Sequence, residues 1–257
     1  MKFLERMAAQ DRQRGALGRH SAMLASLVFL LAALPLLEGA PGGGRRFPIL
    51  LCLVLFAAVY VNRTRRWTLW LAVVLGAGAI VALAISDSSG SSAARVVADL
   101  LGLGLLGFTT FLLLNSLVKA QVVEVDTVLG GICVYLLIGL CFALVYHLMI
   151  ALSPGALVSG GETFGAASHD ASKMSARLLY FSFITLTTVG YGDITPHGEI
   201  AEMLAASEAI IGQLYLAIFI ARMMGLYMGN DRARARDRGA DSDTLRASSQ
   251  QGDERWG

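Results

Sequence analysis

The stretch 187-TTVGYGD-193 places two glycines, a tyrosine and a carboxylate between long apolar runs. Irregular backbone survives at membrane depth only where protein encloses it or where it lines a water- or ion-filled path. What these seven residues do therefore depends on whether their flanks span a bilayer. Of the 257 residues, 55% are hydrophobic and 16% charged, and the mean hydropathy is +0.61, whereas soluble domains carry about 25% charged residues. The apolar residues gather in runs near the ~20 residues that a spanning helix requires, which gives an integral membrane protein.

Outward from this stretch, six segments can span: residues 21–37, 47–61, 67–85, 94–117, 128–152 and 201–228. The second is short enough that its flanks must help. Between the fifth and sixth, residues 174–186 are apolar but too short to span, and they read as a re-entrant helix. The predicted organisation is a cytoplasmic N-terminal segment (1–20), a four-helix front module (21–118), a linker (119–127), a pore domain (128–229) and a disordered cytoplasmic tail (230–257) of low apolar content. Cys52, Cys133 and Cys141 all fall inside apolar runs and read as small packing residues. The polar first twenty residues match a cleaved secretory signal poorly.

Basic residues accumulate on the cytoplasmic side. Lys2, Arg6, Arg12, Arg14 and Arg19 precede the first span, Arg63, Arg65 and Arg66 follow the second, Lys119 follows the fourth, and Arg232, Arg234, Arg236 and Arg238 follow the sixth. Both termini are therefore expected in the cytoplasm, with Arg45 and Arg46 the one dissent. This leaves 187–193 in the extracytoplasmic half. The compact architecture and the Ala and Arg richness suggest a bacterial source, hence the inner (plasma) membrane.

A helix over 175–187 would direct its C-terminal carbonyls, worth about half a negative charge, toward the membrane centre, where a cation is favoured. The chain then turns outward through Thr188, Val189, Gly190, Tyr191 and Gly192. Glycines at alternate positions permit the left-handed values that let successive carbonyls face one axis. TVGYGD at 188–193, with Leu186 and Thr187 before it, resembles the signature filter of potassium channels, whose four TVGYG loops replace the ion's hydration shell with carbonyl oxygens.

The resemblance covers about residues 128–228. It implies an all-α membrane protein with six transmembrane helices per chain, a re-entrant pore helix and a selectivity filter, assembled as a homotetramer around one pore. It further implies that the carbonyls of Thr188, Val189, Gly190 and Tyr191, with the Thr188 hydroxyl, bind dehydrated K+, the permeant ion, with no organic cofactor. Tyr191 would point outward into the pore-helix packing. Asp193 would sit at the outer mouth, tied to an aromatic donor on the pore helix; the matching pair here is Tyr180-Phe181 rather than two tryptophans, and Tyr180 keeps a hydroxyl to donate.

Gly212 lies twenty residues after Gly192, where potassium channels usually carry a hinge glycine on the inner helix. A hinge and a close helix contact both fit a residue that costs about 1 kcal/mol in a helix interior. Gln213, Leu216, Ile220 and Met224 recur at helical spacing and would line the cavity and inner gate, or form a lipid or core stripe. Glu208 is an intramembrane carboxylate, a functional-site hypothesis by default. It can bond behind the filter to Ser182 or Thr185, with an elevated tendency to be neutral, as a brace or as a gating residue.

The front module lacks a basic array. The fourth segment has Arg95 near one end and Lys119 at the other, with a neutral centre, whereas each charge crossing the field yields only about 2.3 kcal/mol per 100 mV. Steep voltage gating is not expected. The module reads as a degenerate sensor scaffold, a ligand or lipid receptor, or a structural belt. Asp99 lies four residues from Arg95, on one helix face.

Passive potassium-selective conduction is the leading expectation. A potassium uptake transporter subunit and a ligand- or lipid-gated cation channel of lower selectivity are the alternatives. Such transporters typically carry four degraded filter repeats per chain, and this chain has one intact copy. No H-E-x-x-H, G-x-S-x-G or Cys-pair metal spacing is present, so an enzyme is not expected. No nucleic-acid partner is expected. Arg232, Arg234, Arg236 and Arg238 either set topology or attract anionic lipid at about 1 kcal/mol per charge.

Overall fold

In lipid, backbone polar groups are satisfied within the segment, so the apolar runs fold as helices. The computed structural model describes residues 19–38, 66–120, 125–163 and 171–253. Among these are helices α1 (Arg19–Glu38), α2 (Arg66–Ser89), α3 (Ser92–Lys119), α4 (Val125–Leu152), α5 (Ala171–Leu186) and α6 (Glu199–Asp253). Short strands β1 (Leu157–Ser159) and β2 (Glu162–Thr163) precede α5, and β3 (Ile194–Pro196) follows it.

Three stretches among the described residues are long and apolar enough to cross a membrane: Ser92–Lys119, Val125–Leu152 and Glu199–Met228. The apolar parts of α1, α2 and α5, namely His20–Ala33, Trp70–Ser86 and Met174–Leu186, are shorter. The chain is a mainly helical membrane protein, and the predicted span 47–61 lies outside the described residues.

One expectation gains a detail and another needs correction. Beside the helices stands a short antiparallel sheet of order β2-β1-β3, with β1 at its centre and Val158 opposite both Thr163 and Thr195. Strands of two or three residues carry too little alternation to be read from sequence. Their consequence is positional, because β3 begins one residue after Asp193 and pins the exit of the 187–193 loop to the chain leaving α4. The tail expected to be disordered instead continues α6 as helix to Asp253. Low apolar content argues against a packed core, not against a helix; Ala and Arg are strong helix formers, and no proline follows Pro196.

α2 and α3 form a hairpin through Gly90, whose φ of +64° is the left-handed value that a tight reversal needs. Ser91 then caps α3, its side chain accepting the Ala94 amide at 3.4 Å. One core joins α1, α3 and α4 through Leu27, Leu30, Leu105, Leu106, Leu137 and Leu140, all essentially inaccessible. A second, built from Tyr146, Ile150, Leu157, Leu178, Phe181 and Ile194, holds α5 against α4 and the sheet. Near the start of the second core, His147 Nδ1 on α4 meets Asp99 Oδ2 on α3 at 2.8 Å, so Asp99 reaches across to the neighbouring helix.

Small residues let the pore-side helices close up, as is usual where lipid removes the hydrophobic drive for helix association. A Cβ at Gly131 would lie 2.1 Å from the Phe219 ring, and one at Gly139 would lie 2.8 Å from Phe183. α4 thereby approaches α6 at one level and α5 at the other, and α5 is held between them with its C-terminus at the loop.

Candidate functional site

The loop is built on the last carbonyls of α5. A helix C-terminus leaves carbonyls without intrahelical partners. Here the Thr187 amide donates to Phe183 O (3.0 Å), the Thr188 amide to Thr185 O (2.9 Å), and the Val189 and Gly190 amides both to Ile184 O (2.8 and 3.1 Å). Beyond this cap the backbone alternates: Thr188, Gly190 and Gly192 have φ of +60°, +52° and +79°, while Val189 and Tyr191 stay at negative φ. Such alternation turns successive carbonyls toward one side. The two glycines follow the sequence reading, but Thr188 does not belong to it. A β-branched residue in the left-handed region is strained by roughly 1–3 kcal/mol and persists only where its surroundings over-determine it. Those surroundings include the Thr188 hydroxyl, which donates to Thr187 O at 2.7 Å and accepts from Gln213 Nε2 at 3.4 Å.

Residues 187–193 are exposed in the single chain, Tyr191 at 72%. The loop is therefore supported from behind and open in front. At its exit the Tyr180 hydroxyl on α5 lies near enough to the Asp193 carboxylate to feel its charge. At its start Leu186 O receives the Tyr135 hydroxyl at 3.4 Å and lies 2.3 Å from where a Cβ at Gly212 would sit. Gly212 is thus in close contact with the pore helix. Among the described residues no three His, Cys, Asp or Glu side chains gather as a metal site. The oxygens of 188–192 are the donor set the loop offers, and such oxygens suit a hard cation.

Glu208 is fully buried behind the loop. Tyr146 on α4 donates to its Oε2 at 2.7 Å, and the Ser182 hydroxyl on α5 lies 2.5 Å from its Oε1. Ser182 also donates to Gly139 O on α4 at 2.7 Å. Tyr146 donates to one carboxyl oxygen of Glu208, and the Ser182 hydroxyl bridges the other to Gly139 O. One residue therefore fastens three helices. Glutamine reproduces this pattern, whereas alanine leaves the buried Tyr146 hydroxyl without an acceptor, at about 1–3 kcal/mol, while Ser182 keeps only its bond to Gly139 O. Glu208→Ala is accordingly expected to lower the thermal midpoint of the purified protein by several degrees, while Glu208→Gln stays close to wild type; equal losses in both would refute the assignment.

Sequence reading offered Ser182 or Thr185 to Glu208, and Ser182 is the hydroxyl in contact; Tyr146, 62 residues distant, went unnoticed. Tyr135 and Tyr215 were missed as well. Their rings stack with centroids 6.0 Å apart, and the Tyr215 hydroxyl donates to Gly131 O at 2.7 Å. The signal available was three tyrosines at membrane depth, each needing a partner for its hydroxyl. Of the expected cavity residues, Gln213 meets the loop, while Leu216, Ile220 and Met224 lie farther along α6, the last two exposed. Arg232, Arg234, Arg236 and Arg238 fall on the helical continuation of α6.

Residues 134–228, from within α4 through the loop to α6, match the family model described as an ion channel. The chain is 32% identical over 129 residues to Protein LctB of Bacillus caldotenax, covering 46% of this chain and 90% of that protein. It is 33% identical over 118 residues to Protein LctB of Geobacillus stearothermophilus, covering 46% of this chain and 85% of the relative. A shorter match joins it to Two pore potassium channel a of Oryza sativa subsp. japonica, 38% identical over 45 residues, or 18% of this chain and 13% of that one. With a pore helix, a TVGYGD loop of alternating hand and an inner helix packed beneath it, this chain belongs to the potassium-channel family of ion channels.

Proposed function

We propose that four copies of the chain surround one axis and that residues 188–192 of each form a filter that conducts K+ passively and selectively. The observation that carries this reading is the alternating left-handed backbone at Thr188, Gly190 and Gly192 on a capped pore helix. A filter replaces the hydration shell of the ion with carbonyl oxygens. A single loop provides one side of such a cage, which is why the exposed front of 187–193 calls for other copies. Thr188, Val189, Gly190, Tyr191 and Gly192 are the ion-binding residues. Asp193, Tyr180, Thr187 and Glu208 hold them, and Gln213, Leu216, Ile220 and Met224 line the path below.

The membrane is the bacterial inner membrane, with both termini in the cytoplasm on the charge distribution of the loops. Conduction is not steeply voltage-dependent, since α3 carries Arg95 and Lys119 near its ends and no charge between Asp99 and Lys119. The arginines at 232–238 lie within reach of anionic headgroups, which attract such charges at about 1 kcal/mol each.

The test is ion flux into liposomes holding the purified full chain, driven by a potassium gradient and compared with sodium at matched ionic strength. Potassium flux at least about tenfold above sodium, the equivalent of about 1.4 kcal/mol of discrimination, is expected from a preparation that cross-links as a tetramer. Equal fluxes of the two ions would defeat the selective reading.

A further inference from the structure

Arg222 is a cation on α6 ten residues beyond Gly212, roughly 15 Å along the helix. Among the described residues its guanidinium bonds main-chain oxygens rather than an acid. Nη2 donates to three backbone carbonyls where α3 ends: Leu117 O at 3.3 Å, Val118 O at 2.5 Å and Ala120 O at 3.1 Å. The last carbonyls of a helix lack intrahelical partners and carry about half a negative charge, so a cation there both satisfies and neutralises them. Its Nε is buried without a hydrogen-bond partner among the described residues. The same end of the bundle is fastened a second time, by the His20 amide and Nδ1 on α1 to the Asp126 carboxylate at the start of α4, at 3.2 and 2.5 Å.

The position of Arg222 on α6 matters as much as its partners. At about 100° per residue, Arg222 lies on the face of α6 opposite Ile220 and Met224. Those two are exposed, at 61% and 57%, while Arg222 is half-buried against α3. The same two turns of helix therefore present an apolar pair to one side and a cationic grip on the front module to the other. Movement of Ile220 and Met224 toward or away from a central axis must stretch or release the bonds to Leu117, Val118 and Ala120.

We infer that Arg222 is the positioning residue through which the front helices set the position of the inner helix, giving a neutral module a mechanical hold on the gate. The inference rests on the potassium-channel reading of the filter. It needs no charge to cross the membrane field; whatever shifts the end of α3, a lipid or another ligand, would act on α6 through this cap.

The experiment is single-channel recording of the full chain in planar bilayers, comparing wild type, Arg222→Met and Arg222→Lys. Methionine keeps the apolar stem and removes the donors; lysine keeps a cation that reaches the carbonyls. Arg222→Met is expected to change open probability at least about tenfold, within the usual range of coupling between sites. Unit current and the potassium-over-sodium reversal potential should stay at wild-type values, and Arg222→Lys should return within about threefold of wild type. If wild type is silent, openings in Arg222→Met support the inference, and silence in an assembled Arg222→Met channel overturns it. Open probability within about twofold of wild type in Arg222→Met, or loss of the assembled channel in both variants, would also overturn it, the latter making Arg222 a folding brace. A wild type that passes sodium as readily as potassium defeats the filter reading instead, while the ratio of open probabilities still judges Arg222.

Discussion

Gly190→Ala is expected to reduce potassium-driven flux by at least about a hundredfold while leaving the protein folded and assembled. Gly190 sits at φ +52° with its amide bonded to Ile184 O at 3.1 Å, and an added Cβ would meet nothing within 4 Å in its own chain. The obstacle is therefore conformational. An L-residue in this region costs roughly 1–2 kcal/mol, hence about 4–8 kcal/mol over the four subunits of the proposed tetramer. The backbone relieves that strain by leaving the left-handed region, which in the proposed filter turns a carbonyl off the axis in each subunit and removes a ring of ion ligands. Gly160→Ala supplies the control. Gly160 has φ +61°, also with nothing within 4 Å, but it lies in the turn between β1 and β2. It bears the same strain away from the loop and should keep wild-type flux. Equal losses in the two variants would mean that the flux reports folding rather than the filter; wild-type flux in Gly190→Ala would overturn the assignment of this loop.

How much of this was readable in the sequence depends on how local each determinant is. The TVGYGD stretch and the helices that became α3 and α4 are written in contiguous residues, and their reading needs only the cost of bare backbone in lipid. The Glu208 cluster was half legible. An intramembrane acid announces itself, and Ser182 sits on the preceding helix, but Tyr146 and Gly139 enter only once α4 is placed against α5. The left-handed backbone of Thr188 went unread because sequence assigns that region to glycine, whereas here a threonine adopts it with its hydroxyl bonded to Thr187 O. Arg222 drew no reading from the sequence at all. Its partners are main-chain oxygens, which no side-chain pattern records. The sheet was missed because ITP and ET hold no alternation to find.

Gly212→Ala decides between a hinge and a contact, which the sequence left open. A Cβ there would lie 2.3 Å from Leu186 O, 2.9 Å from Leu186 Cδ1 and 3.2 Å from the Leu186 carbonyl carbon. A flexible side chain can step aside; a main-chain carbonyl at the end of α5 cannot do so without displacing the adjoining Thr187 and Thr188. Leu186 O is also the acceptor for Tyr135, so that bond is strained as well. Overpacking of this kind costs about 1–3 kcal/mol per site, repeated in each subunit of the proposed tetramer, and it is relieved by pushing the pore helix away from α6. Glu208 and Gln213 sit on either side of the collision, four residues before Gly212 and one after, so their bonds to Ser182 and Thr188 stretch together. The expected result is a channel that still assembles but whose potassium-over-sodium flux ratio falls at least about tenfold, the equivalent of about 1.4 kcal/mol of lost discrimination. A hinge makes the opposite forecast. Alanine stiffens a helix by about 1 kcal/mol relative to glycine, which would change how long the channel stays open and leave its selectivity untouched. Unaltered selectivity with altered open times in Gly212→Ala would therefore overturn the contact reading and restore the hinge, because only a contact transmits the methyl group to the filter.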